Sequence, residues 1–230
     1  MKTLGLIGGT TWVSTVDYYR LINREVNRRL GGVHSAKILL HSVDFEEFRP
    51  PVDPSEWGAL TGKFTEIARG LERAGADGIV FCANTPHLIA GEIRTAIRIP
   101  LIHIGEETAK VVGASGVKKV GLLGTRITME QRFYTGKLAE RGIETLVPDP
   151  DDRKFIHSTI LDEFAKDIFR PERKGQYLAI MDALVERGAG GIILGCTEIP
   201  VLVRPEECPV PAFDTTAIHA MAAVDFALGE

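Results

Sequence analysis

Glu72-Arg73-Ala74-Gly75-Ala76-Asp77-Gly78-Ile79-Val80-Phe81-Cys82 and Glu186-Arg187-Gly188-Ala189-Gly190-Gly191-Ile192-Ile193-Leu194-Gly195-Cys196 are two versions of one stretch. Each reads as a helix end, a glycine turn, a short buried run and a cysteine. Gly75 and Gly188 lie 113 residues apart, and Cys82 and Cys196 lie 114 apart, so one residue has entered just before the second cysteine. Upstream, Gly5-Leu6-Ile7-Gly8-Gly9-Thr10 recurs as Gly121-Leu122-Leu123-Gly124-Thr125, an offset of 116. A weaker echo links Ile99-Pro100-Leu101-Ile102-His103 to Val210-Pro211-Ala212-Phe213-Asp214. All these offsets lie near half of the 230 residues, which two copies of one unit explain.

The unit is α/β. Short apolar runs at 4–7, 36–40, 78–81, 101–104, 120–123, 191–194 and 210–213 read as buried strands of a parallel sheet. Between them, helical patterns cover 15–29, 56–74, 86–97, 107–114, 129–141, 152–167 and 176–187. This alternation predicts βαβ units in two small Rossmann-like domains with mainly parallel sheets, with ligands met at the carboxyl ends of the strands.

Composition sets outer limits. With 44% hydrophobic and 25% charged residues the chain can fill a core and is not disordered. A net charge of −4, with no run rich in Lys or Arg, argues against nucleic acid as a partner. No apolar run reaches the length of a membrane span. The glycine-broken start, Met1 to Gly9, reads as a first strand rather than a leader, so a cytoplasmic location is expected. Three cysteines without a C-x-x-C pair argue against a disulfide framework or a zinc site, and the six histidines show no metal spacing.

Cys82 and Cys196 are the candidate chemical groups. Each ends a buried strand, and each is followed by polar cap residues, Asn84-Thr85-Pro86 or Thr197-Glu198-Ile199-Pro200. A helix start beside a thiol is expected to lower its pKa toward neutrality. A lone cysteine at a strand end is more often a small buried hydrophobe. Here two of them hold matching positions in two half-chains, while Cys208 has no counterpart and reads as structural. A near-symmetric pair of thiols suits inversion of a carbon centre, one group removing a proton and the other returning one.

Phe81-Cys82-Ala83-Asn84-Thr85 and Leu194-Gly195-Cys196-Thr197-Glu198-Ile199-Pro200 resemble the paired signatures of the aspartate/glutamate racemase superfamily. Gly5-Leu6-Ile7-Gly8-Gly9-Thr10-Thr11-Trp12, Gly121-Leu122-Leu123-Gly124-Thr125-Arg126 and Phe213-Asp214-Thr215-Thr216 extend the resemblance over essentially the whole chain. It is nearest to the bacterial aspartate racemase and broad-specificity amino-acid racemase branch. The resemblance implies a homodimeric enzyme without cofactor or metal, acting on a small amino acid at a site between two pseudosymmetric domains. It implies Cys82 and Cys196 as catalytic groups, and Thr10, Asn84, Thr85, Thr125 and Thr197 as substrate contacts. It also implies a first domain of 1–98 with a return at about 212–230, and a second of 99–211.

Pro86 stands where the family usually has Met, Ser or Ala. Arg49, at the end of the stretch His41 to Arg49, is the candidate to stand in for the arginine of the Pro-Asp-Arg segment with which archaeal aspartate racemases meet the side-chain carboxylate. His103, Asp44, Glu198 and Trp12 are secondary candidates for lining the cleft, each with a plain packing or capping alternative. Asp149–Lys154 and Arg170–Lys174 read as solvated turns. The alternatives on the same fold are a hydantoin racemase-like enzyme, a maleate isomerase and a decarboxylase, and the paired cysteines count against the last. A two-lobed binding protein is the non-enzymatic alternative. A loose Gly8-Gly9 loop without G-x-G-x-x-G argues against a dinucleotide site.

Overall fold

The computed structural model describes residues 1–51 and 56–230. The chain divides into two compact units, Met1–His103 with His219–Glu230, and Ile104–Ile218. In the first unit, β1 (Thr3–Gly8), β2 (Lys37–Ser42), β3 (Gly78–Phe81) and β4 (Leu101–Ile102) form a parallel sheet in the order β2-β1-β3-β4. In the second, β5 (Lys119–Gly124), β6 (Glu144–Leu146), β7 (Ile192–Gly195) and β8 (Ala212–Asp214) form a parallel sheet in the order β6-β5-β7-β8. The two orders are the same, so the repeat seen in the sequence is a repeat of topology.

Strand alternation sends successive side chains to opposite faces, and each face has its own cover. Ile7, Ile79 and Phe81 pack with Phe64 of α2 (Trp57–Arg73) and Ile93 of α3 (Ala90–Ala96). Leu4, Leu6 and Val80 pack with Tyr18 of α1 (Trp12–Leu30) and Val224 of α10 (Thr215–Leu228). In the second unit, Leu123, Ile192 and Leu194 face Ile156 of α7 (Pro150–Asp162) and Met181 of α8 (Pro171–Glu186). Val120, Leu122 and Ile193 face Val112 of α4 (Ile104–Ala114) and Leu138 of α6 (Arg132–Ala139). Truncating one of these fully buried aromatics, as in Phe81→Ala, costs about 3–5 kcal/mol.

Some boundaries differ from the expected ones for local reasons. Residues 99–103 stay with the first unit because β4 pairs with β3. Residues 212–218 stay with the second because β8 pairs with β7, so the return begins inside α10 rather than at 212. The helix expected at 129–141 is α5 (Arg126–Glu130) and α6, broken where Gln131 takes an extended conformation at ψ 150°. The stretch expected at 86–97 opens as a 3₁₀ turn, Thr85–Ile89, before α3. The charged stretches expected to be solvated turns contain the first turns of α7 and α8. Pro150 and Pro171 fit there because their missing N–H is not needed, and Asp151, Asp152 and Glu172 lie at the positive end of each helix dipole. Among the described residues, no helix is long and apolar enough to cross a membrane.

Candidate active site

A doubly wound sheet opens a crevice where its strand order reverses, above the carboxyl ends of the strands on either side. In the first unit those are β1 and β3. Gly8-Gly9-Thr10 leaves one and Cys82 leaves the other. In the second they are β5 and β7, which lead to Thr125 and to Cys196. Each cysteine therefore stands at the switch point of its own sheet, beside the threonine-bearing turn of the neighbouring strand.

In the first turn, backbone packing is tight enough to dictate residue type. Gly9 has φ +93°, and a side chain there would run into the backbone of Val43. Its N–H donates to Thr15 Oγ1 at 2.8 Å. Cys82 is fully buried, and its N–H donates to the Ile7 carbonyl at 2.9 Å. Ser14 Oγ, in the first turn of α1, lies 2.9 Å from the Cys82 carbonyl and 3.0 Å from the Thr11 carbonyl, and donates there. Asn84 holds the N-cap position of the 3₁₀ turn that follows, without a side-chain capping bond, and Pro86 lies in its first positions. Asn84 is buried, whereas Thr10 and Thr85 are half-buried.

The second turn holds its cysteine differently. Gly124 and Gly195 are paired across β5 and β7, and a Cβ on Gly124 would lie 2.7 Å from the Gly195 carbonyl oxygen. Cys196 Sγ donates to Glu198 Oε2 at 2.9 Å, and Thr197 Oγ1 donates to the same oxygen at 2.7 Å. All three residues are buried. Glu198 is the cap of α9 (Ile199–Leu202). Thr125 caps α5, its hydroxyl accepting from the Thr128 N–H at 3.3 Å. The residue that caps α1 in the same way is Thr11, accepting from Ser14 N at 3.4 Å, so Thr11 rather than Thr10 is the counterpart of Thr125.

The thiols do not show the expected lowering of pKa. Burial pushes Cys82 up, and burial together with the Glu198 carboxylate pushes Cys196 well up. The helical segments that follow are one 3₁₀ turn and a four-residue helix, too short to build much of a dipole. A helix end contributes about 0.3–1 kcal/mol, less than one pKa unit. Full burial of a charge shifts a pKa by several units, so desolvation wins.

Asp44 caps the 3₁₀ turn Phe45–Phe48, accepting from Glu46 N. Arg49 is exposed and pairs with Glu46 at 3.4 Å. Trp12 begins α1 and is 55% exposed. His34 and His41 are exposed. His87, His103 and His219 are all buried and lie together in the first unit, a grouping that reading each histidine singly does not reveal. Ser14 is likewise not visible in the sequence, because a serine in a helix's first turn carries no chemical signature by itself.

Comparison with known proteins agrees across family, sequence and structure. The family model Asp/Glu/hydantoin racemase matches residues 7–223. The broad-specificity amino-acid racemase RacX of Bacillus subtilis is 28% identical over 177 residues, which is 76% of this chain and 74% of that protein. The crystal structure of a candidate Asp/Glu racemase from Yersinia pestis is 46% identical with a TM-score of 0.90, covering 99% of this chain and 100% of the other. An aspartate racemase homologue from Pyrococcus horikoshii is 33% identical with a TM-score of 0.83, again over 99% and 100%.

Proposed function

The chain belongs to the Asp/Glu/hydantoin racemase family, and from that membership we propose that it is a cofactor-independent amino-acid racemase that prefers aspartate or glutamate. Cys82 and Cys196 act on opposite faces of one α-carbon. The sulfur that begins as thiolate takes the α-proton, and the opposite thiol gives its own proton to the planar carbanion. The pair ends with its protonation exchanged, ready for the reverse direction. The developing negative charge falls beside the backbone N–H groups and hydroxyls at the strand ends, and Thr10, Asn84, Thr85, Thr125 and Thr197 hold the substrate's carboxylate and amino groups.

Glu198 supplies what a buried thiol lacks. Its carboxylate accepts the Cys196 hydrogen at 2.9 Å, so it can take that proton and leave a thiolate. Thr197 donates to the same oxygen and keeps the carboxylate aligned. The proposal includes a homodimer, as the family resemblance implies, and a cytoplasmic location.

One observation carries the reading: the two cysteines end the corresponding strands, β3 and β7, of two sheets with the same order. A chiral assay of purified protein across the proteinogenic amino acids, without added pyridoxal phosphate, tests it. Aspartate or glutamate is expected to racemise fastest. Comparable rates on many amino acids would replace the acidic preference with a broad range like that named for the Bacillus subtilis relative. No racemisation of any amino acid would reject the function.

A further inference from the structure

Three buried histidines lie outside the thiol chemistry. His87 follows Cys82 by five residues on the 3₁₀ turn, is 1% exposed, and has no hydrogen-bond partner for either ring nitrogen among the described residues. Its ring centroid is 4.6 Å from that of His103 and 5.3 Å from that of His219, with Phe81 edge-on at 5.3 Å. His103 is the last residue of the first unit before the chain passes to the second, and His219 is the first on its return. The Cys82 turn and both crossing points thus meet in one knot of imidazoles. Among the described residues, no three His, Cys, Asp or Glu side chains converge on a metal position.

Bonding and burial together set the charge this knot tolerates. His219 Nε2 lies 2.9 Å from the Ile102 carbonyl, which can only accept, so that nitrogen carries a hydrogen. Burial keeps the ring neutral, and its Nδ1, 2.8 Å from Tyr18 Oη, then accepts from the phenol. The titratable and charged groups facing His87 are His103 at the end of β4, His219 on α10 and Arg94 on α3, with Tyr18 of α1 reaching His219. Two imidazolium rings at these separations, buried and with a guanidinium nearby, repel strongly.

We propose that His87, His103 and His219 form an acid-release clamp: neutral, they hold the Cys82 turn against the two chain crossings, and proton uptake by the cluster drives them apart and frees the turn. The clamp neither uses nor requires a substrate, so it stands apart from the racemase reading. Its sign follows from burial, which takes His219 down to about 4 and holds His87 below the ordinary histidine range. The closed form is at full stability above pH 6.5. It loses stability as the pH falls below the value of an exposed histidine, because the opened form takes up protons first.

Amide hydrogen exchange of the intact protein at pH 7 and pH 5, corrected for intrinsic exchange rates, tests the proposal on residues 82–89. A histidine that titrates at 6.5 when exposed and at about 4 in place raises the open population about twentyfold over that interval. The segment 192–199 around Cys196 has no such cluster and serves as the internal control. His87→Phe, which keeps an edge-on ring and removes the unpartnered nitrogens, is expected to reduce the acid response of 82–89. An equal response in wild type and variant would overturn the clamp. Should the variant not fold, the wild type still decides, since equal acid responses of 82–89 and 192–199 would overturn it too.

Discussion

The turns after β3 and β7 occupy one place in the topology and hold their cysteines differently. Cys82 is fixed through its backbone, its N–H on Ile7 and its carbonyl under Ser14. Cys196 is held through its carbonyl, which accepts from Ile199 N–H at 3.2 Å, and also through its sulfur, which donates to Glu198. Five residues past Cys82 begins a buried histidine cluster; beside Cys196 lies a buried carboxylate. The duplication has kept the position of the thiol and let its proton environment diverge. A racemase can tolerate that divergence. The two enantiomers have equal free energy, so kcat/KM must be equal in both directions however unlike the two acids are.

The comparison can be broken first at the sulfurs. Cys82→Ser and Cys196→Ser are each expected to lower kcat by 10³-fold or more in both directions, since serine is a far weaker acid than a thiol. Circular dichroism should remain that of the wild type. Ordinary turnover by either variant would remove the equivalence on which the comparison rests.

Glu198→Gln sharpens it. We expect kcat to fall by roughly 10²-fold, within the range for loss of a proton-transfer partner. The carboxylate raises the Cys196 pKa, so its removal should move the alkaline limb of the pH–rate profile to lower pH. An unmoved limb would mean that Glu198 only fills space.

The smallest effect is expected at Ser14. Ser14→Ala removes the hydroxyl donor to the Cys82 carbonyl and should cost about 1–3 kcal/mol of stability in urea unfolding. Ser14→Thr, which keeps the hydroxyl, should recover most of it. If both substitutions cost the same, packing rather than the hydrogen bond holds the Cys82 turn.

The strand ends were legible because duplication wrote them twice. Gly78 to Phe81 and Gly191 to Leu194 are apolar runs too short for a helix, and the positions of both cysteines follow from them. β6 was not legible, since Glu144-Thr145-Leu146 offers one apolar residue and gains its strand character only by pairing with β5. Glu198 was readable as a cap two residues past a cysteine, but its bond to that cysteine depends on how tightly the turn closes. The histidine knot was hidden for a different reason. Its members come from a 3₁₀ turn, a strand end and a helix, and only the fold brings positions 87, 103 and 219 together.

Solvent deuterium tests the two-thiol account most directly. With a single enantiomer in D₂O, neither sulfur holds more than one proton at a time, so the first turnovers should place deuterium in the opposite enantiomer and leave recovered substrate almost unlabelled. Equal labelling of recovered substrate and product from the start would mean that one polyprotic group serves both faces, and would contradict the account.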